Sequence, residues 1–311
     1  MTLARLIKSL VVLVVIANVL FWLPTARLFC LYAMGRASRC PLSQSVHSFD
    51  TLAHRVTIRK KIDREKRLIE SDAAGFHLWD TSRGRFWIPS RDDVSLADNL
   101  AEQATKVYGE GENGVQLDDV VLDCGANVGV FTREALANGA QLVVAVEPGP
   151  ENVECLRRNF APEIAKGTVI VVPKGVWNRD DVLTFHVAAD TSTRSSFVGS
   201  FGPGARAEIK VPLTTIDGLV SALKLEKVDF IKLDVEGAEK NALIGAKDTL
   251  VKHHPRLAIA MEHLADDPLR IPEIVFAESA AYRVTCGDCI DEIGHIRPDV
   301  LFFHVNPLLS R

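Results

Sequence analysis

The stretch Val120-Val121-Leu122-Asp123-Cys124-Gly125-Ala126-Asn127-Val128-Gly129-Val130 limits what this chain can fold into more than any other. Three apolar β-formers run into an acid, two glycines follow four residues apart, and a helix-compatible segment starts at 131. A buried strand, a tight turn and a helix start, in that order, make the unit with which an α/β sheet holds a nucleotide-like ligand. Small residues belong in the turn if the ligand lies against the backbone, where a Cβ would intrude.

The rest of the chain repeats the alternation. Strand patterns occupy 142–147, 168–172, 182–187, 209–213, 228–233 and 256–261, with helical patterns at 148–160, 216–223, 238–251 and 268–281. A strand pair at 282–285 and 300–305 closes the series. This order predicts a mostly parallel sheet covered by helices on both faces, a main domain spanning 119–306. Ahead of it, over 76–118, two apolar runs around Thr81-Ser82-Arg83-Gly84 predict a β-hairpin, and Leu96, Leu100, Ala104 and Val107 predict a helix. The polar, Gly-containing loop 191–204 is long enough to be a substrate lid.

At the N-terminus, 10–23 is apolar apart from Asn18, and the aromatic pair Phe21-Trp22 sits at one end. With Leu3, Leu6 and Ile7 counted, 1–26 predicts a single membrane-spanning anchor and a membrane location; a cleaved signal and a buried helix are the alternatives. Arg5 and Lys8 on one side and Arg27, Arg36 and Arg39 on the other leave its orientation open. Residues 27–75 read as a basic stalk. Its cluster of Arg55, Arg59, Lys60, Lys61, Arg64, Lys66 and Arg67 either meets anionic lipid or forms a solvated helix face. A net charge of −4 argues against a nucleic-acid partner. Six cysteines are too few and scattered for a disulfide framework, and Cys124 inside the ligand turn favours the reduced state. Cys286-Gly287-Asp288-Cys289 reads as a plain turn. With only His295 and His304 behind it at loose spacing, no metal-ligand set is assigned.

Two constellations carry chemistry. Glu147 falls about 20 residues beyond the turn, at the tip of the second strand, where an acid accepts hydrogen bonds from ribose hydroxyls. The turn itself is Asp-x-Gly-x-Asn-x-Gly, with Asp123 ahead of the glycines. A pyrophosphate would avoid that acid, whereas the ammonium group of S-adenosylmethionine would accept it. The second constellation is Asp229-Phe230-Ile231-Lys232-Leu233-Asp234-Val235-Glu236-Gly237-Ala238-Glu239, followed one strand later by Met261-Glu262-His263. Lys232 and Asp234 are charges embedded in an apolar strand, costly to bury unless paired or used. Glu236 and Glu239 fit the start of a helix. His263 is the leading general base for removing a hydroxyl proton, Asp234 its rival or the group that orients the acceptor, and Lys232 the charge that holds Asp234.

Taken together, the Asp123–Phe131 turn, Val146-Glu147-Pro148, the Lys232–Glu239 block and the adjacent pair Glu262-His263 resemble the FkbM family of S-adenosylmethionine-dependent methyltransferases. The pattern has one residue between that Glu and His; here there is none. The resemblance runs from about 120 to 305. It implies a class I methyltransferase fold, with a mostly parallel seven-stranded sheet and an antiparallel last strand. It further implies O-methylation of a hydroxyl on a glycan or small molecule. Asp123, Gly125, Ala126, Asn127, Gly129, Glu147 and Pro148 are the cofactor contacts this implies. An NAD-dependent oxidoreductase is the rival enzyme, weakened by the missing G-x-G-x-x-G turn and Tyr-x-x-x-Lys pair. A non-catalytic membrane adaptor that kept the fold is the rival outside catalysis.

Overall fold

The computed structural model describes residues 24–37, 39–188, 205–292 and 294–305. The expected lid, 191–204, lies outside them. So does nearly all of the expected anchor.

Strand–turn–helix units build the core. β4 (Val120–Cys124) is buried along its whole length and leads into α5 (Val130–Ala137). β5 (Leu142–Val146), β6 (Val169–Val172), β10 (Phe230–Leu233) and β11 (Arg256–Ala260) run parallel to it. With β12 (Tyr282–Cys286) and β15 (Val300–Val305) they form one seven-stranded sheet in the order β12-β15-β11-β10-β4-β5-β6. β15 runs antiparallel to both its neighbours. The central strands are near-continuous Val, Ile and Leu because both faces are covered, one by a cluster around Ile231, Leu250 and Ile271, the other by one around Phe131 and Phe230. The class I methyltransferase-like α/β fold is therefore present. The reversal of order between β10 and β5 at β4 is the switch point, where ligands sit in such sheets.

The continuous helix expected over 238–251 is two, α9 (Glu239–Ile244) and α10 (Lys247–His253). The break falls at Gly245, where a Cβ would lie 2.1 Å from the Trp177 carbonyl oxygen. Outside the main sheet, β8 (Asp181–Ala188) and β9 (Ala205–Thr214) form a hairpin, with the short β7 (Gly175–Val176) beside β9.

The N-terminal segment departs from expectation. No helix among the described residues is long and apolar enough to cross a membrane, so the anticipated transmembrane helix and membrane location have no support in the structure. The first described helix is α1 (Pro24–Ala33). Its Leu28 and Leu31 pack on Ile296 and on a disulfide between Cys40 and Cys289. In place of an extended stalk, 27–75 holds α3 (Ser48–Glu65), after a single turn α2 (Leu42–Ser45), and the first strand of a three-stranded sheet, β1 (Arg67–Ser71). Three of its cations are paired to the body: Arg27 to Asp291 at 2.5 Å, Arg55 to Asp299, and Arg59 to Asp98 at 3.3 Å. β2 (Phe76–Thr81) and β3 (Gly84–Pro89) form the expected hairpin. α4 (Ser95–Ala104) buries Leu96 and Leu100 with Ile62 and Phe86.

The Cys40–Cys289 bridge joins positions 249 apart and differs from the all-reduced reading. Cys289 starts the first strand of a small hairpin, β13 (Cys289–Glu292) and β14 (His295–Pro298), so its partner comes from the N-terminal segment instead of from Cys286. Cys124 and Cys155 are buried free thiols, and burial pushes both up, away from the thiolate.

Candidate active site

A cavity of about 530 Å³ opens at the carboxyl ends of β4, β5, β10 and β11, within the range of roughly 300–1,000 Å³ usual for small-molecule sites. α4 lies across its mouth with Ser95, Asp98, Asn99 and Glu102.

At one end the turn after β4 is fixed by backbone. The Gly125 and Ala126 amides donate to the Val146 carbonyl oxygen at 2.9 and 3.1 Å. Glu147 closes the loop: one carboxylate oxygen accepts from the Asn127 amide at 2.9 Å, the other from Gly149 at 2.8 Å and from the Asn152 side chain at 3.3 Å. Burial raises the Glu147 carboxyl, and those amides pull against it. Gly125, Ala126, Asn127, Glu147 and Pro148 line the cavity. Asp123 and Gly129 are not among its lining residues. Asp123 is fully buried, accepts from the Thr132 hydroxyl at 2.6 Å and stands 3.3 Å from the Lys232 ammonium.

The two glycines are required for a reason other than the expected one. A Cβ on Gly125 would sit 1.8 Å from the Asp234 carbonyl oxygen, and one on Gly129 would sit 2.2 Å from the Phe160 ring. Both also have positive φ, +83° and +90°. The close approach is to protein, not to open cavity.

At the other end β10 delivers Lys232 and Asp234. Lys232 donates to the Gly125 carbonyl oxygen at 3.0 Å and lies 3.3 Å from both Asp123 and Asp234. Burial alone would lower this ammonium, but the two carboxylates outweigh it and hold the charge. Burial likewise works to raise Asp234, and Lys232, His263 and a hydrogen bond from Tyr108 at 2.7 Å together hold it below the usual range. Tyr108 was not foreseen. It lies beyond α4, and its ring also lies under Lys232, 4.9 Å from Nζ.

His263, just past β11, has a side chain 6% exposed. Nδ1 is 2.8 Å from the fully buried Glu239, whose carboxylate also accepts from the Val235 amide. Nε2 turns toward three more acids: Asp234 and Glu236 at 3.6 Å and Glu262 at 3.9 Å. Burial opposes the imidazolium, yet the surrounding carboxylates raise His263 well above its ordinary value. Burial pushes Glu236 up to about 8, and burial, with Glu262 and Asp234, raises Glu102 well above its ordinary value. Glu236 and Glu239, expected merely to start a helix, both face the histidine. The structure thus brings Lys232, Asp234 and His263 into one group, with the glycine turn directly against Lys232 and Asp234.

The chain is 27% identical over 173 residues to the hexuronic acid methyltransferase AglP of Haloferax volcanii, a match covering 54% of this chain and 66% of that protein, just under two thirds of its length. Among solved structures it resembles a methyltransferase FkbM from Methylobacillus flagellatus (14% identity, TM-score 0.47, covering 88% of this chain and 65% of that one). It also resembles a precorrin-6y C5,15-methyltransferase from Geobacter metallireducens (16% identity, TM-score 0.33, covering 61% and 78%). The model of the methyltransferase FkbM domain matches residues 123–284, more than half of the chain, from the acid of the glycine turn through the Lys232–Glu239 block to the edge strand β12. By that match the chain belongs to the FkbM methyltransferase domain family.

Proposed function

We propose that this protein is an S-adenosylmethionine-dependent O-methyltransferase acting on a hydroxyl of a glycan or small sugar. The observation that carries the reading is the charge of the cavity. Asp98, Glu147, Asp234 and Glu262 line it, with Glu102 and Glu236 shifted by burial toward the neutral acid, against Lys174, Lys232 and His263, and Lys232 is already engaged by two carboxylates. Such a wall suits a ligand with sulfonium and ammonium charges and disfavours a pyrophosphate. A hexuronic acid methyltransferase among the relatives supports a sugar acceptor.

When bound, S-adenosylmethionine supplies an electrophilic methyl on a good leaving group. The chain's own residues do the rest. Gly125, Ala126, Asn127, Glu147 and Pro148 face the cofactor end, where Glu147 is placed for ribose hydroxyls. Asp123 and Gly129 act from behind, Asp123 by fixing Lys232 and Thr132, Gly129 by seating α5 on Phe160. Asp234 and His263 face the acceptor oxygen and hold it for in-line attack, and its proton goes to Asp234 or, once His263 has lost its own proton, to Nε2, with Lys232 keeping Asp234 in place.

The test is incubation of the full chain with methyl-labelled S-adenosylmethionine and a host extract of glycans and lipids. Label is expected in a glycan fraction and is expected to vanish with Asp234→Asn. Calorimetry showing NAD binding and no S-adenosylmethionine binding would overturn the reading.

A further inference from the structure

We propose that Asp234, Glu262 and His263 form a divalent-cation site at the acceptor end of the cavity, suited to Mn²⁺ or Zn²⁺. One donor atom from each can be chosen so that all lie within 4.8 Å of one another. Two carboxylates and an imidazole on one side of an ion, with the other side open, make a donor set for first-row divalent metals.

An acidic cluster alone would be weak evidence; His263 supplies the second observation. Its side chain is 6% exposed, and its Nε2 is buried and makes no hydrogen bond. That nitrogen nevertheless points at Asp234 and Glu262, from 3.6 and 3.9 Å. Those gaps are too long for hydrogen bonds. They are only a few tenths of an ångström wider than the roughly 3.0–3.5 Å between two ligand atoms that share an ion at about 2.1 Å. Asp234 is set for the part: one oxygen is taken by Tyr108 and Lys232, and the other is the one facing Nε2. Nδ1 against Glu239 is the outer contact that orients a ligating histidine.

Open positions on the ion would receive oxygens of the acceptor, a role that rests on the methyl-transfer reading above, whereas the cation site itself does not. With the ion bound, Nε2 is a ligand instead of the base.

The experiment is calorimetric titration of the chelator-stripped full chain with MnCl₂, with electron paramagnetic resonance of the bound ion. One equivalent is expected to bind, at least about tenfold more weakly in Glu262→Gln and in His263→Gln. Glu262 is the deciding position, because its side chain is 41% exposed and its substitution leaves the core intact. No saturable binding up to about 1 mM, or binding untouched by Glu262→Gln, overturns the proposal. Cation binding without any label transfer breaks the methyl-transfer reading and leaves the site standing. Full label transfer in chelator, with no ion bound, does the reverse and returns Nε2 to the role of base.

Discussion

The two ends of the cavity are built on opposite principles. At the glycine turn, Glu147 is a buried acid whose oxygens are met by Asn127, Gly149 and Asn152. Around His263, Asp234, Glu236, Glu239 and Glu262 crowd one imidazole, and its outward nitrogen finds no hydrogen bond. A satisfied polar network rigidifies, while a crowded one stores electrostatic energy that a ligand or a proton can release. On the proposed reading the first end is a mould and the second a reactive group, and they meet where Gly125 lies against the Asp234 carbonyl and Lys232 reaches Gly125 and Asp123.

The sharpest way to separate the two ends is to disable one. Asp234→Asn and His263→Ala should each cut label transfer by about 10²–10⁴-fold while cofactor affinity by calorimetry stays nearly constant. A parallel loss of affinity would show that the ends do not act separately. Gly125→Ala attacks the contact between them. With a Cβ 1.8 Å from backbone and φ at +83°, it should lower stability by about 3 kcal/mol or more in urea unfolding. A loss under about 1 kcal/mol would mean the turn yields easily and is no mould. Glu147→Gln leaves one of the amide donors facing an NH₂ group, and should weaken cofactor binding by roughly tenfold with turnover at saturation preserved. An unchanged dissociation constant would remove Glu147 from the cofactor end. Tyr108→Phe deletes one hydrogen bond to Asp234, costing about 1 kcal/mol, and should lower turnover about fivefold without moving cofactor affinity. An effect as large as that of Asp234→Asn would make Tyr108 a participant instead of a support.

The two ends also differ in how legible they are. The mould lies in one contiguous motif plus Glu147, because a strand, a turn and the next strand tip are close in sequence and local geometry dictates them. The reactive group was legible only in part. Lys232, Asp234 and His263 stood out as charges at strand ends, but Glu236 and Glu239 resembled ordinary helix-start acids, and Tyr108 lies 126 residues from the Asp234 it supports. Even for the glycines the residue choice was readable while its cause was not, since what forbids a Cβ is the carbonyl of another strand and a ring of another helix.

The N-terminal region shows the same limit. A basic run fits a stalk by composition, yet within 27–75 Leu28 and Leu31 pack on, and Arg27 and Arg55 pair with, the C-terminal third, and Cys40 is bridged to Cys289 across 249 positions. By itself, then, the amino-acid order determined the alternation of strands and helices and the glycine turn, consequences of period and short-range sterics, while the seven-stranded sheet with its reversed strand was implied only by the family resemblance. Tertiary structure alone decided which acids surround His263, what the turn glycines make room for and where the N-terminal helices dock. Those outcomes depend on contacts between segments far apart in sequence, to which local pattern is blind.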